Sequence, residues 1–276
     1  MDALATFPLL SGLIEEVSVQ AGFWPIAHDL RRLHGLVRRE GPVAAWRKGV
    51  RYLRWRIPAE LLRLRMLCLR RVEDRFTMIY RANMWAASES VSGPAASLEN
   101  TAALRRSLPV LFERLGVRSL FDAPCGDFYW MRHVVEGRAL DYVGGDIVRP
   151  MVERNNQRYG NGRCRFVHLD VCRDEVPRTD LWLYRGLLSL LSNDDSLAVL
   201  RQFLRSGTPY ILLSSHRVFD GAPNAEVASG DFRFVDMRLA PFNLPPPLQT
   251  LEDRADEDLC LWSREQVAAA LEGRQA

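Results

Sequence analysis

A short segment near the middle of the chain constrains the fold more than any other. Leu120 and Phe121 end an apolar run, an acidic residue follows at Asp122, and a Pro-Cys-Gly turn leads to Asp127. From about Phe128 onward the apolar residues have helical spacing. This order predicts a buried strand, a tight turn and a helix, the geometry in which backbone N–H groups approach a ligand closely. We therefore expect an α/β fold with a ligand at the strand ends.

A second strand repeats the pattern one βα unit later. Residues 140–146 are largely apolar and end in Gly-Gly-Asp, so that Asp146 again places an acid at a strand end. An acid about 20 residues after the glycine turn is where a partner of ribose hydroxyls lies in nucleotide-binding folds of this type. The two strands together are stronger evidence for a ligand site than either one alone.

Strands and helices alternate through the rest of the chain. The predicted strands are 117–123, 140–146, 165–170, 180–184 and 210–214, and the predicted helices begin near 128 and cover 152–158, 196–204 and 263–271. Apolar strands between amphipathic helices are typical of right-handed βαβ units and of a parallel sheet covered on both faces. After the fifth strand, 232–239 alternates like another strand, and the order of the elements stays open. The long segment 216–247 is of the kind that often binds substrate.

The first 75 residues are helix-prone and rich in arginine, unlike the rest of the chain. This difference predicts an N-terminal helical region, 1–75, and a second domain, 76–276. The domain divides into a helical lead-in (76–116), a cofactor-binding core (117–214) and substrate-side and C-terminal elements (215–276). The basic helices of 43–72 have an apolar stripe between arginines. We favour packing of this stripe on the next domain. The other interpretation is peripheral contact with an anionic membrane surface.

Composition and targeting features bound the remaining possibilities. The 276 residues have a net charge of +3, too small to argue for nucleic acid. Five scattered cysteines without a C-x-x-C pair favour a reducing compartment and predict no metal site. We expect no secretory signal, because no basic region precedes the first apolar run, and no apolar run reaches about 18 residues. The predicted location is cytoplasmic.

The chain resembles the class I S-adenosylmethionine (SAM)-dependent methyltransferases, and within them a bacterial branch with an Asp-x-Pro-Cys-Gly-Asp loop. The matching pieces extend over the C-terminal three-quarters and include Asn83-Met-Trp85, Ser92-Gly93, Asp122 to Asp127, Gly145 to Val148, Leu169 to Val171, Tyr184-Arg185, Ser214 to His216, Ser229 to Arg233 and Leu261-Trp262. The loop is the most specific of these. The resemblance implies a Rossmann-like class I methyltransferase sheet with helices on both faces, and SAM as cofactor.

The resemblance also implies roles for the residues at the strand ends. The methionine end of SAM would be shaped by Asp122, Pro124, Gly126 and Asp127, the ribose bound by Asp146, and the adenine contacted by Ile147, Asp170 and Val171. Acids suit a cofactor that carries a sulfonium and an ammonium but no phosphate. Each acid has a structural alternative, since Asp122 could cap the following helix and Asp170 could be a turn residue. Cys125 is interpreted as a turn filler, because no histidine lies near it in sequence.

Methyl transfer gains mainly from positioning and needs a base only when the acceptor carries a proton. His216, after the fifth strand, is the candidate base, and Arg185 is the second catalytic candidate. A structural role for His216 is an equal alternative, and His168 is interpreted as a structural residue. The residues predicted to orient a polar substrate are Tyr184, Asn224, Asp231, Arg233 and Asn243.

One departure from the branch concerns the segment after strand four. Relatives have Arg-Asp-Cys-Leu-x-His there, whereas this chain has Gly186 in place of the acid and Leu190 in place of the histidine. Two polar groups that would face the substrate are therefore missing. Because the cofactor acids remain, we favour a changed substrate over a lost activity.

The leading hypothesis is a SAM-dependent methyltransferase acting on oxygen or nitrogen of a small-molecule or sugar/glycan-type acceptor. The alternative is a methyltransferase-like binding or accessory protein that holds the cofactor without turnover. An NAD(P)-dependent oxidoreductase is disfavoured because Pro124 replaces a glycine of G-x-G-x-x-G. A nucleic-acid methyltransferase is disfavoured because the Asn/Asp-Pro-Pro-Tyr/Phe tetrapeptide is missing after strand four.

Overall fold

The computed structural model describes residues 69, 71–85, 87–217 and 223–273. These belong to one of the two units into which the chain divides, Met66–Ala276. The predicted helical region 1–75 lies outside the described residues except for its last few positions, as do the basic helices of 43–72. The predicted boundaries of the domains and the membrane contact therefore stay predictions.

In the described part of the chain, seven strands form a single sheet. They are β1 (Ser119–Asp122), β2 (Asp141–Asp146), β3 (Cys164–His168), β4 (Leu181–Tyr184), β5 (Tyr210–His216), β6 (Gln249–Glu252) and β7 (Glu257–Ser263). The order across the sheet is β3-β2-β1-β4-β5-β7-β6. Strands β1 to β5 pair in parallel, whereas β7 runs antiparallel to both β5 and β6.

Six α-helices accompany the sheet within these residues. They are α1 (Val72–Ala82), α2 (Ala102–Leu115), α3 (Arg132–Val135), α4 (Arg149–Tyr159), α5 (Asn193–Ser206) and α6 (Arg264–Glu272), with short 3₁₀ turns at Pro94–Ala96 and Leu188–Leu190. Local hydrogen bonds determine where two of these helices begin. The Ser192 side chain accepts from the Asp195 N–H at the start of α5, and Ser263 forms a capping box with Gln266 at the start of α6.

Alternation along the strands distributes their side chains between two apolar layers. In β4, Leu181 and Leu183 pack into one layer, while Trp182 and Tyr184 pack into the other. The Trp182 ring lies 5.0 Å from that of Phe121, centroid to centroid. A sheet with apolar side chains on both faces must be covered on both faces, which the helices do. The layered α/β architecture that the sequence predicts is confirmed.

The structure differs from the sequence predictions beyond the first five strands and at one helix. The predicted parallel sheet is confirmed for β1 to β5, and β6 and β7, in the part of the chain where the order of the elements was left open, add an antiparallel edge. The strand predicted at 232–239 is wrong, since these residues form turns and irregular backbone. The helix predicted from Phe128 is reduced to the four residues of α3, because Phe128 has a φ of 59° and cannot continue a right-handed helix.

Candidate functional site

A cavity of about 390 Å³ lies at the edge of the sheet where β1, β2 and β4 end. Its lining includes all eight residues predicted to bind the cofactor, together with Arg185: these are Asp122, Pro124, Gly126, Asp127, Asp146, Ile147, Asp170 and Val171. Parallel strands carry their ligands at this edge, next to the point where the strand order reverses. The structure thus brings these residues together, while their roles toward a ligand remain predictions.

Two glycines of β2 let the loop after β1 approach the strand closely. A Cβ atom on Gly144 would lie 3.1 Å from the Cβ atom of Cys125, and one on Gly145 would lie 3.1 Å from the Cβ atom of Ala123. The Cys125 N–H donates to the Gly145 carbonyl oxygen at 2.9 Å. The loop therefore lies directly on β2, so that the acids of both strands face one cavity.

Gly126 connects the loop to the acid that ends β2. Its φ of 56° lies in the left-handed region, which is unfavourable for residues other than glycine. Its N–H donates to Asp146 Oδ2 at 3.1 Å. Its carbonyl oxygen accepts from Asn155 Nδ2 at 2.8 Å. The glycine thus fixes the distance between loop, strand and helix α4.

Asp146 is buried and receives backbone hydrogen bonds on both carboxylate oxygens. Oδ1 accepts from the Val148 N–H at 3.0 Å, and Oδ2 accepts from the Gly126 N–H. Burial raises the pKa of Asp146 to about 6, although these backbone hydrogen bonds favour the ionised form. Each oxygen keeps a second lone pair, so the carboxylate can still accept from a ligand hydroxyl.

Asp122 lies at the end of β1 and is also buried. Its Oδ2 accepts from the Tyr142 hydroxyl at 2.6 Å. Burial raises its pKa to about 7, against the opposing effects of this hydrogen bond and of Arg185. The hydrogen bond explains how a carboxylate is held there. The N-cap residue of the following helix, α3, is Met131, so Asp122 does not cap it.

Asp127 holds a second segment of chain against the loop. Its Oδ1 accepts from the hydroxyls of Ser90 (2.9 Å) and Ser92 (3.2 Å), and its Oδ2 accepts from the Val91 N–H at 3.0 Å. The Asp127 N–H donates back to Ser92 Oγ at 2.9 Å. Asp127 therefore organises the cavity wall formed by 90–92. The Ser92-Gly93 piece of the family resemblance was the signal for this segment, which the sequence analysis treated only as part of a matching pattern.

Residues after β3 complete this side of the cavity. Asp170 Oδ1 accepts from the Cys172 N–H at 2.9 Å, and its Oδ2 lies 3.4 Å from a guanidinium nitrogen of Arg173. Ile147 and Val171 add apolar surface to the lining. Asp170 is therefore a turn residue, as the structural alternative predicted, and it also lines the cavity.

Arg185 joins the cavity to the antiparallel edge of the sheet. Its guanidinium makes two hydrogen bonds of 2.7 Å to the Asp253 carboxylate and one of 2.9 Å to the Ala95 carbonyl oxygen. It also lies over the Trp130 ring, 5.3 Å from the centroid. These contacts occupy most of its donors, so Arg185 has the environment of a structural element of the wall.

The other predicted catalytic and substrate residues lie outside the cavity lining. His216 is buried at the end of β5, with Nδ1 3.2 Å from both the N and the O of Val235. Tyr184 packs in the core against Trp182. Asn224 donates to backbone oxygens of its own loop, and Arg233 donates to the Ala225 carbonyl oxygen and to the Asn193 side chain at the start of α5. The remaining two, Asp231 and Asn243, are also absent from the lining.

The rest of the lining is largely aromatic and aliphatic. Gly186 and Leu190, which replace the acid and histidine of the resembling branch, both line the cavity. Aromatic side chains that the sequence analysis did not single out for the site contribute the larger surfaces, namely Phe76, Tyr80, Trp85, Trp130 and Phe232. The cavity therefore has apolar walls at the two positions where the resembling branch would have polar groups.

Two further properties of the described residues bear on the chemistry. Burial raises the pKa of the Cys125 thiol well above its ordinary value, so a thiolate is disfavoured there. Among these residues no group of three or more His, Cys, Asp or Glu side chains is placed to hold a metal ion. In the same part of the chain, every helix is too short or too polar to span a bilayer.

Comparisons with known proteins give structural matches. No family model and no curated protein sequence matches the chain. Among solved structures, it resembles the 1,6-didemethyltoxoflavin-N1-methyltransferase of Burkholderia thailandensis with bound 1,6-didemethyltoxoflavin and S-adenosylhomocysteine (TM-score 0.51, 21% identity, 69% of this chain and 86% of that chain). Human N-acetylserotonin methyltransferase in complex with SAM gives a TM-score of 0.49 at 17% identity, over 68% of this chain. The matched region spans only 58% of the human enzyme's length. The chain has the Rossmann-like fold of the class I methyltransferases.

Proposed function

We propose that the chain is a SAM-dependent methyltransferase that transfers a methyl group to oxygen or nitrogen of a small-molecule acceptor. The observation that carries this proposal is the charge of the cavity. Among the described residues of the lining, acids outnumber basic groups: the acids are Asp122, Asp127, Asp146, Asp170 and Glu257, and the basic residues are Arg185 and Arg254. Both arginines are already paired with carboxylates.

Such a cavity suits a cationic ligand that has no phosphate. A phosphate-bearing nucleotide would want free N–H groups or basic side chains at the loop, but the Gly126 N–H already donates to Asp146. The carboxylate of Asp146 can accept from ribose hydroxyls, and that of Asp122 would stabilise a positive methionine end. SAM would supply an activated methyl group on a sulfonium. The protein would contribute binding, orientation and exclusion of water.

A binding or accessory protein without turnover is the second candidate function. The observation in its favour is that Gly186 and Leu190 put no polar side chain at two positions of the cavity wall. Cofactor binding alone is compatible with both functions, and transfer to an acceptor distinguishes them.

Calorimetric titration of the purified full-length protein with SAM, S-adenosylhomocysteine (SAH) and NADH tests the proposal. We expect both sulfur ligands to bind with dissociation constants in the micromolar range, about −8 kcal/mol, and NADH not to bind. Failure of both sulfur ligands would withdraw the proposed activity and leave only the fold. Binding of NADH in preference to SAM would favour the oxidoreductase alternative.

The affinity for SAM should increase as the pH rises from 5.5 to 8. The pKa values of Asp122 and Asp146, raised by burial to about 7 and about 6, leave both groups largely neutral at the low end of this range. Ionisation across the range supplies the charge that attracts a cation. If bound SAM lowers the pKa of one of these acids by about one unit, which corresponds to 1.36 kcal/mol, the affinity should increase about tenfold.

The free energy of unfolding of the ligand-free protein should have the opposite pH dependence to the affinity for SAM. Both acids titrate near pH 4 when unfolded, so between about pH 4 and 7 the native state binds more protons. The free energy of unfolding of the ligand-free protein should therefore decrease as the pH rises through this range. Asp122→Asn should flatten the upper part of both profiles. A SAM affinity independent of pH in the wild type would contradict the prediction.

A further inference from the structure

The start of β7 forms the far wall of the cavity from the cofactor acids. Because β7 is antiparallel to β5, its first residue, Glu257, lies beside the last residue of β5, His216. The amino end of β7 therefore shares the edge of the sheet at which β1, β2 and β4 end. Register through Asp122, Leu183, Leu212 and Leu261 puts Glu257 four residues beyond the level of Asp122, about 14 Å at ~3.4 Å per residue. Glu257 thus stands well beyond the loop that would hold a cofactor.

Glu257 is buried, yet only half of its carboxylate is used. The residue is 1% exposed and lines the cavity. Arg254 donates to its Oε2, and Oε1 has no hydrogen-bond partner in the described structure. A neighbouring pair, Arg185 with Asp253, is bidentate and closed. Buried carboxylate oxygens are almost always hydrogen-bonded, so an unpartnered one in a residue that lines a cavity requires an explanation.

The walls of the cavity that Glu257 lines restrict what its partner can be. Leu187, Leu190 and Phe232 are apolar, and Trp130 and Tyr80 add aromatic surface to the same cavity. Small-molecule sites of this kind combine mostly apolar walls with a few polar groups that fix orientation. A carboxylate oxygen can only accept, so the group it binds must be a donor.

We propose that Glu257 recognises the methyl acceptor. Its Oε1 accepts a hydrogen bond from an N–H or O–H group of an aromatic, largely apolar molecule, while Arg254 holds the carboxylate through Oε2. The molecule takes its place on the surface where Gly186 and Leu190 have replaced polar groups. This assignment rests on the proposed function, which it deepens by naming the substrate class as an aromatic amine or hydroxyl compound. A sugar, with hydroxyls around its whole edge, would leave most of its donors and acceptors unpaired against these walls.

Three naphthalenes that share one ring system test the assignment: 1-naphthol, 1-naphthylamine and 1-methoxynaphthalene, the last of which has no donor. Their dissociation constants would be measured by NMR titration of the full-length protein, both without cofactor and saturated with SAH. A hydrogen bond to a charged group implies that the two donors bind the wild type about tenfold or more tightly than 1-methoxynaphthalene. Equal affinities, or no binding of any of the three, would overturn the proposal using the wild type alone.

Glu257→Gln sharpens the test. Because Arg254 can only donate, it selects the amide oxygen of the glutamine and turns the amide NH₂ toward the ligand. The preference for donors should then vanish or reverse in favour of 1-methoxynaphthalene. Asp258→Asn is the matched control, since this neighbour points to the other face of the strand and pairs with Arg217. A preference that survives in Glu257→Gln, or that Asp258→Asn abolishes equally, would assign recognition to other groups.

The two proposals fail separately. If SAH does not bind but the donor preference is present in the cofactor-free protein and depends on Glu257, the proposed function fails and the recognition site stands. If SAH binds but the naphthalenes show no preference, the recognition site fails and the proposed function stands.

Discussion

Asp146→Ala should lower the affinity for SAH by at least about 100-fold, or about 2.7 kcal/mol. The substitution removes the carboxylate expected to accept from the ribose hydroxyls, where hydrogen bonds to charged groups contribute about 1.5–3 kcal/mol each. It also leaves the N–H groups of Gly126 and Val148 without their acceptor. The loop after β1 would lose one of its hydrogen bonds to β2 at the same time, although the bond from the Cys125 N–H to the Gly145 carbonyl oxygen remains, so the loss exceeds that of one contact.

Asp141→Ala provides the matched control for this variant. Asp141 begins the same strand that Asp146 ends, but it is exposed and lies away from the cavity. We expect its SAH affinity, measured by calorimetry beside the wild type, to change by less than about twofold, as is usual for surface substitutions of ~0.5 kcal/mol or less. A folded Asp146→Ala protein that binds SAH within threefold of the wild type would show that this acid is structural only.

The acids at the ends of β1 and β2 could be located from sequence because every step of the inference is local. An apolar run, an acid and a glycine turn specify where a strand stops, and parallel strands present their carboxyl ends at one edge. Asp122, Asp146 and Asp170 were therefore expected at one site before their surroundings were known. What could not be foreseen was their electrostatic state, since burial raises the pKa values of the first two.

The rest of the cavity, proposed to bind the acceptor, was less accessible to the same reasoning because it is assembled over long distances in the chain. Ser90 and Ser92 reach the loop through Asp127, 37 and 35 residues away. Glu257 enters the cavity only because β7 reverses direction beside β5, and the sequence analysis left the order of elements after the fifth strand open. His216, chosen for its position after that strand, instead lies buried beside Val235.

Gly126→Ala should destabilise the protein by about 3 kcal/mol and weaken SAH binding by tenfold or more. An L-residue at a φ of 56° costs roughly 1–2 kcal/mol. The added Cβ would also lie 2.2 Å from Ser92 Oγ and 3.0 Å from Ser92 Cβ. Ser92 would have to move, although its hydroxyl binds both the N–H and the carboxylate of Asp127. The cost therefore has a conformational part and a steric part.

Gly137→Ala separates these two parts. Gly137 has a φ of 76°, but a Cβ atom there would meet nothing within 4 Å. It should show only the conformational cost, roughly 1–2 kcal/mol, which corresponds to about 2–8 °C in the unfolding temperature against about 6–12 °C for Gly126→Ala. In a Ser92→Ala background, where the hydroxyl is gone, Gly126→Ala should cost less than in the wild type, because the two sites are in contact and their effects are not additive. Thermal and denaturant unfolding of the four variants, with SAH titrations beside them, measures both quantities. Equal losses of stability at Gly126 and Gly137, with unchanged SAH affinity, would show that the close approach of the loop to 90–92 does not shape the site.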